Sequence, residues 1–217
     1  MTPDGDSSRT ELPDDEQPGV LDLPSGAEAA LDQVRGAMAA ATGLLPVAEA
    51  AALAMASLMS AWEVTISLID GDESWDIVDV CREPEGWPRF PDFRYPLSDY
   101  PVGTERMLSG KGYISGNAAE EVMREIERQW PEVPVGSIMS APIIALGGVH
   151  GEIFMVRDPE TTMFVRDELD LASEMATLLG ARLPALVSMY LDSTDTPSSS
   201  LTMPTLTHQL KEMLKDN

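Results

Sequence analysis

Cysteine and histidine carry much of the nucleophilic and metal chemistry of proteins, and this chain has few of either. Cys81 is its one cysteine, and His150 and His208 are its two histidines. A single thiol excludes a dithiol cycle within the chain, and the apolar, strand-like run around Cys81 predicts a buried structural thiol. His150 follows a Gly-Gly pair that predicts an exposed turn, and no second histidine stands at ligand spacing. We therefore expect no metal site and a protein that is not an enzyme.

A short acidic segment, Asp70-Gly71-Asp72-Glu73, resembles a fragment of a calcium-binding loop. It lacks the further carboxylates that complete such a loop. Asp-Gly between two β-branched runs is instead typical of a hairpin turn. The sequence also contains no glycine-rich phosphate loop of the Walker type. We therefore predict a turn at this position.

The charge balance excludes several classes of partner. The 217 residues include 37 acidic against 14 basic side chains, a formal net charge of -23. Such a surface repels nucleic-acid phosphates and anionic lipids, so we expect neither partner. No apolar run reaches the ~18 residues of a membrane span, and the acidic N-terminus does not resemble a secretory signal. Together with the single cysteine, this predicts a soluble, cytoplasmic protein.

Composition divides the chain into three parts. Residues 1–24 are acidic and proline-containing, which predicts a disordered tail. Residues 25–191 carry the periodic apolar patterns of one domain with flanking helices. Residues 192–217 form a Ser/Thr/Pro linker and a short amphipathic tail. That tail is either frayed or a docking peptide that folds on a partner protein.

Two helices are predicted before the first strand. Ser25 and Glu28 form a capping box for the first helix. Its apolar face is Leu31, Val34, Met38, Ala41 and Leu45. Pro46 is predicted to begin the second helix. The inward positions of that helix are Val47, Ala50, Leu53, Ala54, Ser57 and Leu58.

A third, long helix is predicted from about Asp167, with a kink or restart at Pro184. One apolar seam on it comprises Leu169, Ala172, Ala176, Leu179, Leu183, Leu186 and Tyr190. A second line comprises Leu171, Met175 and Leu178. Two apolar lines require two neighbours. We therefore expect the sheet on one side and a second, unspecified neighbour on the other.

The strand signals group into hairpins. Residues 64–69 and 75–82 flank the Asp70-Gly71 turn, and residues 137–157 flank Gly147-Gly148. Pro142 predicts an edge position or a bulge, because proline cannot donate to the ladder. Between the hairpins we expect a proline-rich loop over 83–101, with at most a short extended piece at 93–97. One or two helical turns over 102–109, closed by Gly110, should follow. A short strand at 112–115 and a helix over 118–130 capped by Asn117 complete this part of the chain.

The order of these elements and a set of short motifs resemble the GAF domain family over roughly residues 45–185. The motifs are Val64-Thr-Ile-Ser-Leu-Ile-Asp, Arg94-Tyr-Pro-Leu-Ser-Asp-Tyr-Pro-Val-Gly-Thr, Leu108-Ser-Gly-Lys-Gly-Tyr-Ile, Ser137-Ile-Met-Ser-Ala-Pro-Ile and Val149-His-Gly-Glu-Ile-Phe, followed by the closing helix. Each motif is weak alone, and the resemblance depends on the ordered set.

The resemblance implies an α+β fold. Its antiparallel sheet has about six strands, a helix layer on one face and a loop-covered pocket on the other. Family members bind a cyclic nucleotide, haem, bilin or small metabolite and signal through terminal helices. It therefore implies a non-catalytic sensory module that binds an unidentified small molecule and acts through a homodimer or a partner protein. One alternative is an interaction scaffold with a degenerate pocket. A weaker alternative is an enzyme of the methionine sulfoxide reductase type, which uses several cysteines.

The pocket implied by the resemblance would be built from the loop side of the sheet. Aromatic walls with a few hydroxyls and an amide suit a small, partly apolar ligand. The candidate ligand-binding residues are Trp75, Tyr95, Ser98, Tyr100, Thr104, Ser115, Asn117 and Met139. Taken singly, each of these residues is better interpreted as an ordinary structural residue, with Trp75, Tyr95 and Met139 in a filled core.

Overall fold

The computed structural model describes residues 27–40, 43–81, 93–131 and 135–193. The helices are α1 (Ala27–Ala40), α2 (Leu44–Leu58), α3 (Pro101–Leu108), α4 (Glu121–Gln129) and α5 (Arg166–Ser193), with a 3-10 turn at Leu97–Asp99. The strands are β1 (Glu63–Asp70), β2 (Glu73–Cys81), β3 (Phe93–Pro96), β4 (Tyr113–Ser115), β5 (Ser137–Ala145) and β6 (Gly148–Arg157). The predictions for residues 1–24, for the Ser25 cap, for residues 83–92 of the proline-rich loop and for the tail with His208 lie outside the described residues. The rest of that loop forms β3, the 3-10 turn and the start of α3.

The six strands form one antiparallel sheet in the order β3-β2-β1-β6-β5-β4. Helices α1, α2 and α5 share a core with one face of this sheet. A second, smaller apolar cluster joins α4 to the other face. The predicted α+β class is confirmed: a six-stranded antiparallel sheet with a helix layer on one face.

Alternation along β1 separates the two faces. Val64, Ile66 and Leu68 are buried in the core shared with the helix layer, while Thr65 and Ser67 point to the opposite face. Strand β2 has a bulge opposite Ile66 and Ser67 of β1. Ile66 pairs with Val78 and Ser67 pairs with Asp76, so Ile77 is the extra residue. A bulge of this kind reverses which residues face each side.

The long helix α5 finds both of its neighbours inside the chain. Its buried residues belong to one core with the sheet, α1 and α2. The apolar lines of α5 are therefore satisfied without a second copy. Arg182 also donates a 3.1 Å hydrogen bond to the Met38 carbonyl at the end of α1. The helix continues across Pro184, so a restart at this residue is wrong.

Several local predictions on the helix layer are corrected. Helix α2 begins two residues before Pro46, and its buried face is rotated from the predicted one. Leu53 is 50% exposed and Leu45 is 40% exposed, whereas Ala51, Ala52 and Met55 are fully buried. Alanine-rich helices have no strong apolar contrast, and the buried face of α2 combines alanines with Leu44, Val47 and Met55.

The hairpin of β5 and β6 differs from its prediction in its turn. Ala145 pairs with Gly148, so the turn residues are Leu146 (φ 50) and Gly147 (φ 83). His150 consequently lies within β6 and is only 8% exposed, which corrects its predicted surface position. Pro142 lies beyond the residues of β5 that pair with β4, and a bulge follows at Ile143/Ile144, which confirms the prediction for this proline.

Candidate functional site

A cavity of about 150 Å³ lies on the sheet face opposite the helix layer, beneath α3 and α4. Much of its wall is aromatic: Trp62, Phe93, Tyr95, Tyr100, Tyr113, Trp130 and Phe154. Its polar wall is rich in carboxylates: Glu63, Asp76, Asp79, Glu125 and Glu152. Among the described lining residues none is lysine, arginine or histidine. The cavity therefore combines aromatic rings with negative or protonated acid groups.

The floor of the cavity is a row of side chains across three strands. Asp76 on β2 pairs with Ser67 on β1, and Ser67 pairs with Glu152 on β6. These residues line the cavity together because cross-strand neighbours share one face. The bulge in β2 places Asp79, three residues after Asp76, on the same face. A side chain that strict alternation would send to the core thus joins the site.

The roof is held by a buried glutamate. Glu125 of α4 is 1% exposed, and its carboxylate accepts the backbone N–H groups of Val102 at 2.8 Å and Gly103 at 2.9 Å. The N–H groups in the first turn of a helix have no partner within the helix. Glu125 therefore supplies the acceptors that these two N–H groups of α3 need. Trp130 at the end of α4 donates a 2.6 Å hydrogen bond to the Tyr100 hydroxyl. The two roof helices are therefore tied together at the cavity.

Hydroxyl groups occupy part of the hydrogen-bonding capacity of the floor. Ser67 Oγ donates to Asp76 Oδ1 at 2.6 Å, and Ser140 Oγ donates to Glu152 Oε2. Each carboxylate offers about four acceptor positions. The structure shows one hydrogen-bond donor for each of these two acids among the described residues. Acceptor capacity therefore remains on both.

Burial raises the pKa values of three acids that line the cavity. Burial, with the nearby Asp79 and Asp76 charges, raises the pKa of Glu63 to about 8. Burial also raises the pKa of Glu152 to about 7 and the pKa of Asp76 to about 6, although the serine hydrogen bonds oppose both shifts. Tyr95, Tyr100 and Tyr113 have raised pKa values, chiefly through burial, and remain neutral hydroxyls. Near neutral pH the floor is therefore partly protonated.

This proton uptake predicts a pH dependence of stability. Because the pKa of Glu63 is higher in the folded than in the unfolded state, its stabilising contribution is complete below about pH 4.5 and is lost as the pH rises through about 8. Glu63→Gln mimics the neutral acid. Between pH 5.5 and pH 8.5, we expect the stability of Glu63→Gln to increase by about 2 kcal/mol relative to that of the wild type. This is less than the whole pKa difference would give, because part of the interaction is screened by solvent. Urea unfolding at both pH values measures this gain.

The control for this prediction is Glu49→Gln, because Glu49 is exposed on α2 in the opposite layer. Its difference from the wild type should be independent of pH. A constant difference for Glu63→Gln as well would contradict the buried, protonated state of Glu63.

Three of the predicted ligand-binding residues line the cavity: Tyr95, Tyr100 and Thr104. Trp75 is 2% exposed and Met139 is 0% exposed, and both lie in the core beneath the helix layer. Ser98 and Asn117 are exposed, and Ser115 is buried near the end of the sheet, outside the cavity lining. Asn117 accepts the N–H of Ala119 at 2.9 Å in a turn, and α4 begins four residues after it, which corrects its predicted capping role.

The sequence prediction missed the carboxylate floor. Its signal was present as the polar positions that alternate along β1, namely Glu63, Thr65 and Ser67. Their counterparts Asp76 and Asp79 are out of alternation, and only the bulge brings them to the same face. Among the described residues no cluster of three or more histidines, cysteines, aspartates or glutamates is arranged to hold a metal ion. Cys81 lines the cavity as a buried thiol.

Comparison with solved structures identifies the fold. The chromophore-binding domain of an unusual bacteriophytochrome from R. palustris aligns with a TM-score of 0.60 and 14% identity, covering 76% of this chain and 62% of that one. The chromophore-binding domain of a Stigmatella aurantiaca bacteriophytochrome in the Pr state aligns with a TM-score of 0.62 and 13% identity, covering 78% and 63%. Both contain a GAF domain, so this chain has a GAF-like fold.

The chain spans less than two thirds of the length of these two structures. No family model and no curated protein sequence matches it. In the described ranges, no helix combines the length and the apolar character needed to cross a membrane.

Proposed function

We propose that this protein is a non-catalytic sensory or regulatory GAF-like module whose cavity binds a small molecule. The observation that carries the proposal is the cavity between the sheet and α3/α4, in which aromatic rings surround a few convergent polar groups. Such a combination is the usual character of a small-molecule site. The two aligned bacteriophytochrome domains are chromophore-binding, which supports a ligand-binding role for this fold.

The ligand test is mass spectrometry of small molecules released from the denatured protein, with a thermal-shift screen of nucleotides, haem and metabolites. A ligand at one hundred times its dissociation constant should stabilise the protein by roughly 2.7 kcal/mol. Tryptophan emission then locates the site, because Trp62 and Trp130 line the cavity and Trp75 does not. The response should survive Trp75→Phe and decrease in Trp130→Phe. Ligand-free protein without any shift would contradict the proposal.

Signalling is proposed to pass through a homodimer or a partner protein in the cytoplasm. The outer side of the helix layer supports this step, since Leu45 and Leu53 of α2 stay exposed there. Light scattering at micromolar concentration should therefore give twice the chain mass, and Leu53→Glu should reduce it. A monomer under these conditions would contradict the dimer and leave the partner protein, for which the tail over 192–217 is the candidate contact.

A further inference from the structure

The walls of the cavity restrict the chemistry of what can enter it. Five carboxylates line it, and no cationic side chain does so among the described residues. A phosphate or carboxylate ligand would find no counter-ion among these side chains, and the acids that are ionised would repel it where repulsion is screened far less than in water. An anionic ligand is therefore disfavoured by the charge of the floor.

The same floor offers acceptors to a donor-rich group. Glu152 is partly buried, and its described donor, Ser140, occupies Oε2. Asp76 lies two strands away in the same cross-sheet row, and Ser67 between them donates to it. Both acids line the same cavity, so their carboxyl groups face a common space. Acceptor positions remain on both acids, and Ser67 lies between them in the row.

The aromatic wall of the cavity also favours a positively charged ligand group. Tyr95 and Tyr100 meet edge to face with ring centroids 5.2 Å apart. Phe93 contacts Tyr95 at 5.7 Å and Trp130 at 6.3 Å. The faces and hydroxyls of such rings attract cations, most strongly where water is excluded. Phe93 on β3 pairs with Asp76 on β2. The aromatic residues therefore lie next to the row of carboxylates.

The volume of the cavity further limits the class of ligand. A volume of about 150 Å³ equals that of an engineered apolar cavity that binds benzene. One ring with a short substituent fits this space, whereas a macrocycle would have to displace the roof helices.

We infer that the ligand is a small organic cation, a protonated amine or amidine on one ring, with its charge between Glu152 and Asp76 and its ring against Phe93, Tyr95 and Tyr100. This inference rests on the proposed function, because it names the ligand class of the same cavity. The raised pKa values of Glu152 and Asp76 agree with it: in the empty cavity protons supply the positive charge that the ligand would bring. Binding should therefore release protons and strengthen from pH 6 to pH 8.

The test uses three probes of one shape, namely benzylammonium, benzyl alcohol and benzoate, titrated calorimetrically into the full chain. Benzylammonium should bind roughly tenfold or more tightly than benzyl alcohol, as expected for hydrogen bonds to charged groups. Benzoate should not bind. Buffers of different ionisation enthalpy should report proton release near pH 7, and the affinity should be higher at pH 8 than at pH 6.

Matched variants locate the charge. Glu152→Gln and Asp76→Asn keep shape and hydrogen bonding but remove charge, and each should weaken benzylammonium binding about tenfold. Because both acids are held partly neutral in the folded protein, neither variant should impair folding, which thermal unfolding verifies. Glu49→Gln in the opposite layer should bind like the wild type.

The outcomes separate this inference from the proposed function. Equal binding of benzyl alcohol and benzylammonium would overturn the cation inference and leave a small-molecule site. Tight benzoate binding would overturn it in the same way. Absence of binding by all three probes would also overturn it, and the proposed function would fall only if the released-metabolite analysis and wider screen were negative too.

Discussion

Arg157→Met is expected to lower the free energy of unfolding by about 3–5 kcal/mol, as for other buried ion pairs that lose one partner. The guanidinium of Arg157 donates to both oxygens of Glu168, at 2.6 and 3.1 Å, and its Nε donates to the Met59 carbonyl at 3.0 Å. It also donates to the Thr162 carbonyl at 3.1 Å and lies 4.1 Å from the centre of the Phe164 ring. One side chain thus joins the end of α2, the end of β6 and the start of α5.

The size of this effect comes from what the substitution leaves behind. The Arg157 and Glu168 side chains are only 5% and 16% exposed. Methionine fills a similar volume, so the loss measures unpaired acceptors rather than an empty space. Glu168 would keep the N–H of Val165 at 2.9 Å and lose its counter-ion. A carboxylate in that position costs several kcal/mol unless it takes up a proton.

The matched control is Arg128→Met. Arg128 pairs with Glu121 at 2.9 Å, but the two side chains are 58% and 46% exposed. Exposed pairs of this kind contribute about 0–1 kcal/mol. Urea unfolding of both variants gives the comparison. A loss in Arg157→Met no larger than that in Arg128→Met would show that the three elements are held by packing alone. In Arg157→Met/Glu168→Leu part of the loss should return, because no acid is then left unpaired.

Sequence reasoning recovered the features that are encoded locally. The hairpin turn predicted at Asp70-Gly71 is present, with Gly71 (φ 72) and Asp72 between the paired residues Asp70 and Glu73. Gly110 closes α3 at φ 72. Glycine adopts this left-handed conformation without a steric penalty, so the residue type alone predicts the backbone geometry. The β-rich run over residues 64–69 likewise predicts the strand β1.

The composition of each face could not be assigned in the same way. Trp75 and Asp76 are neighbours on β2, and alternation says only that they point in opposite directions. Aromatic residues suit a ligand wall as well as a core, and in this protein Trp75 faces the helix layer while Asp76 faces the cavity. The bulge in β2 then changes the parity for Asp79. A register shift depends on pairing between strands, which a single sequence does not display.

The partners of α5 were also hidden for a non-local reason. Its two apolar lines predicted one neighbour in addition to the sheet, and α5 does have two neighbours. The second neighbour is the α1/α2 layer of the same chain. The apolar face of a helix specifies how much surface must be covered, and topology decides what covers it.

Gly151→Ala is expected to destabilise the protein by about 3 kcal/mol, at the upper end of the cost of overpacking. Glycine within a strand is normally a weak point, so alanine would ordinarily be neutral or favourable. Here a Cβ on Gly151 would lie 2.0 Å from the carbonyl oxygen of Ser67 on the neighbouring strand. A backbone atom cannot rotate away, and therefore β6 must move from β1. That movement would also separate Glu152 from Ser67 in the floor of the cavity.

Gly148→Ala on the same strand is the control. A Cβ there would lie 3.6 Å from His150 Nε2, an ordinary contact, and should change stability by no more than about 0.5 kcal/mol. Thermal and urea unfolding of the two variants measure the difference, and the benzylammonium titration reads the geometry of the floor. Gly151→Ala should lose both stability and probe binding, while Gly148→Ala keeps both. Equal stability of the two variants would mean that β1 and β6 tolerate separation, and the close approach at Gly151 would then have no role in holding the cavity floor.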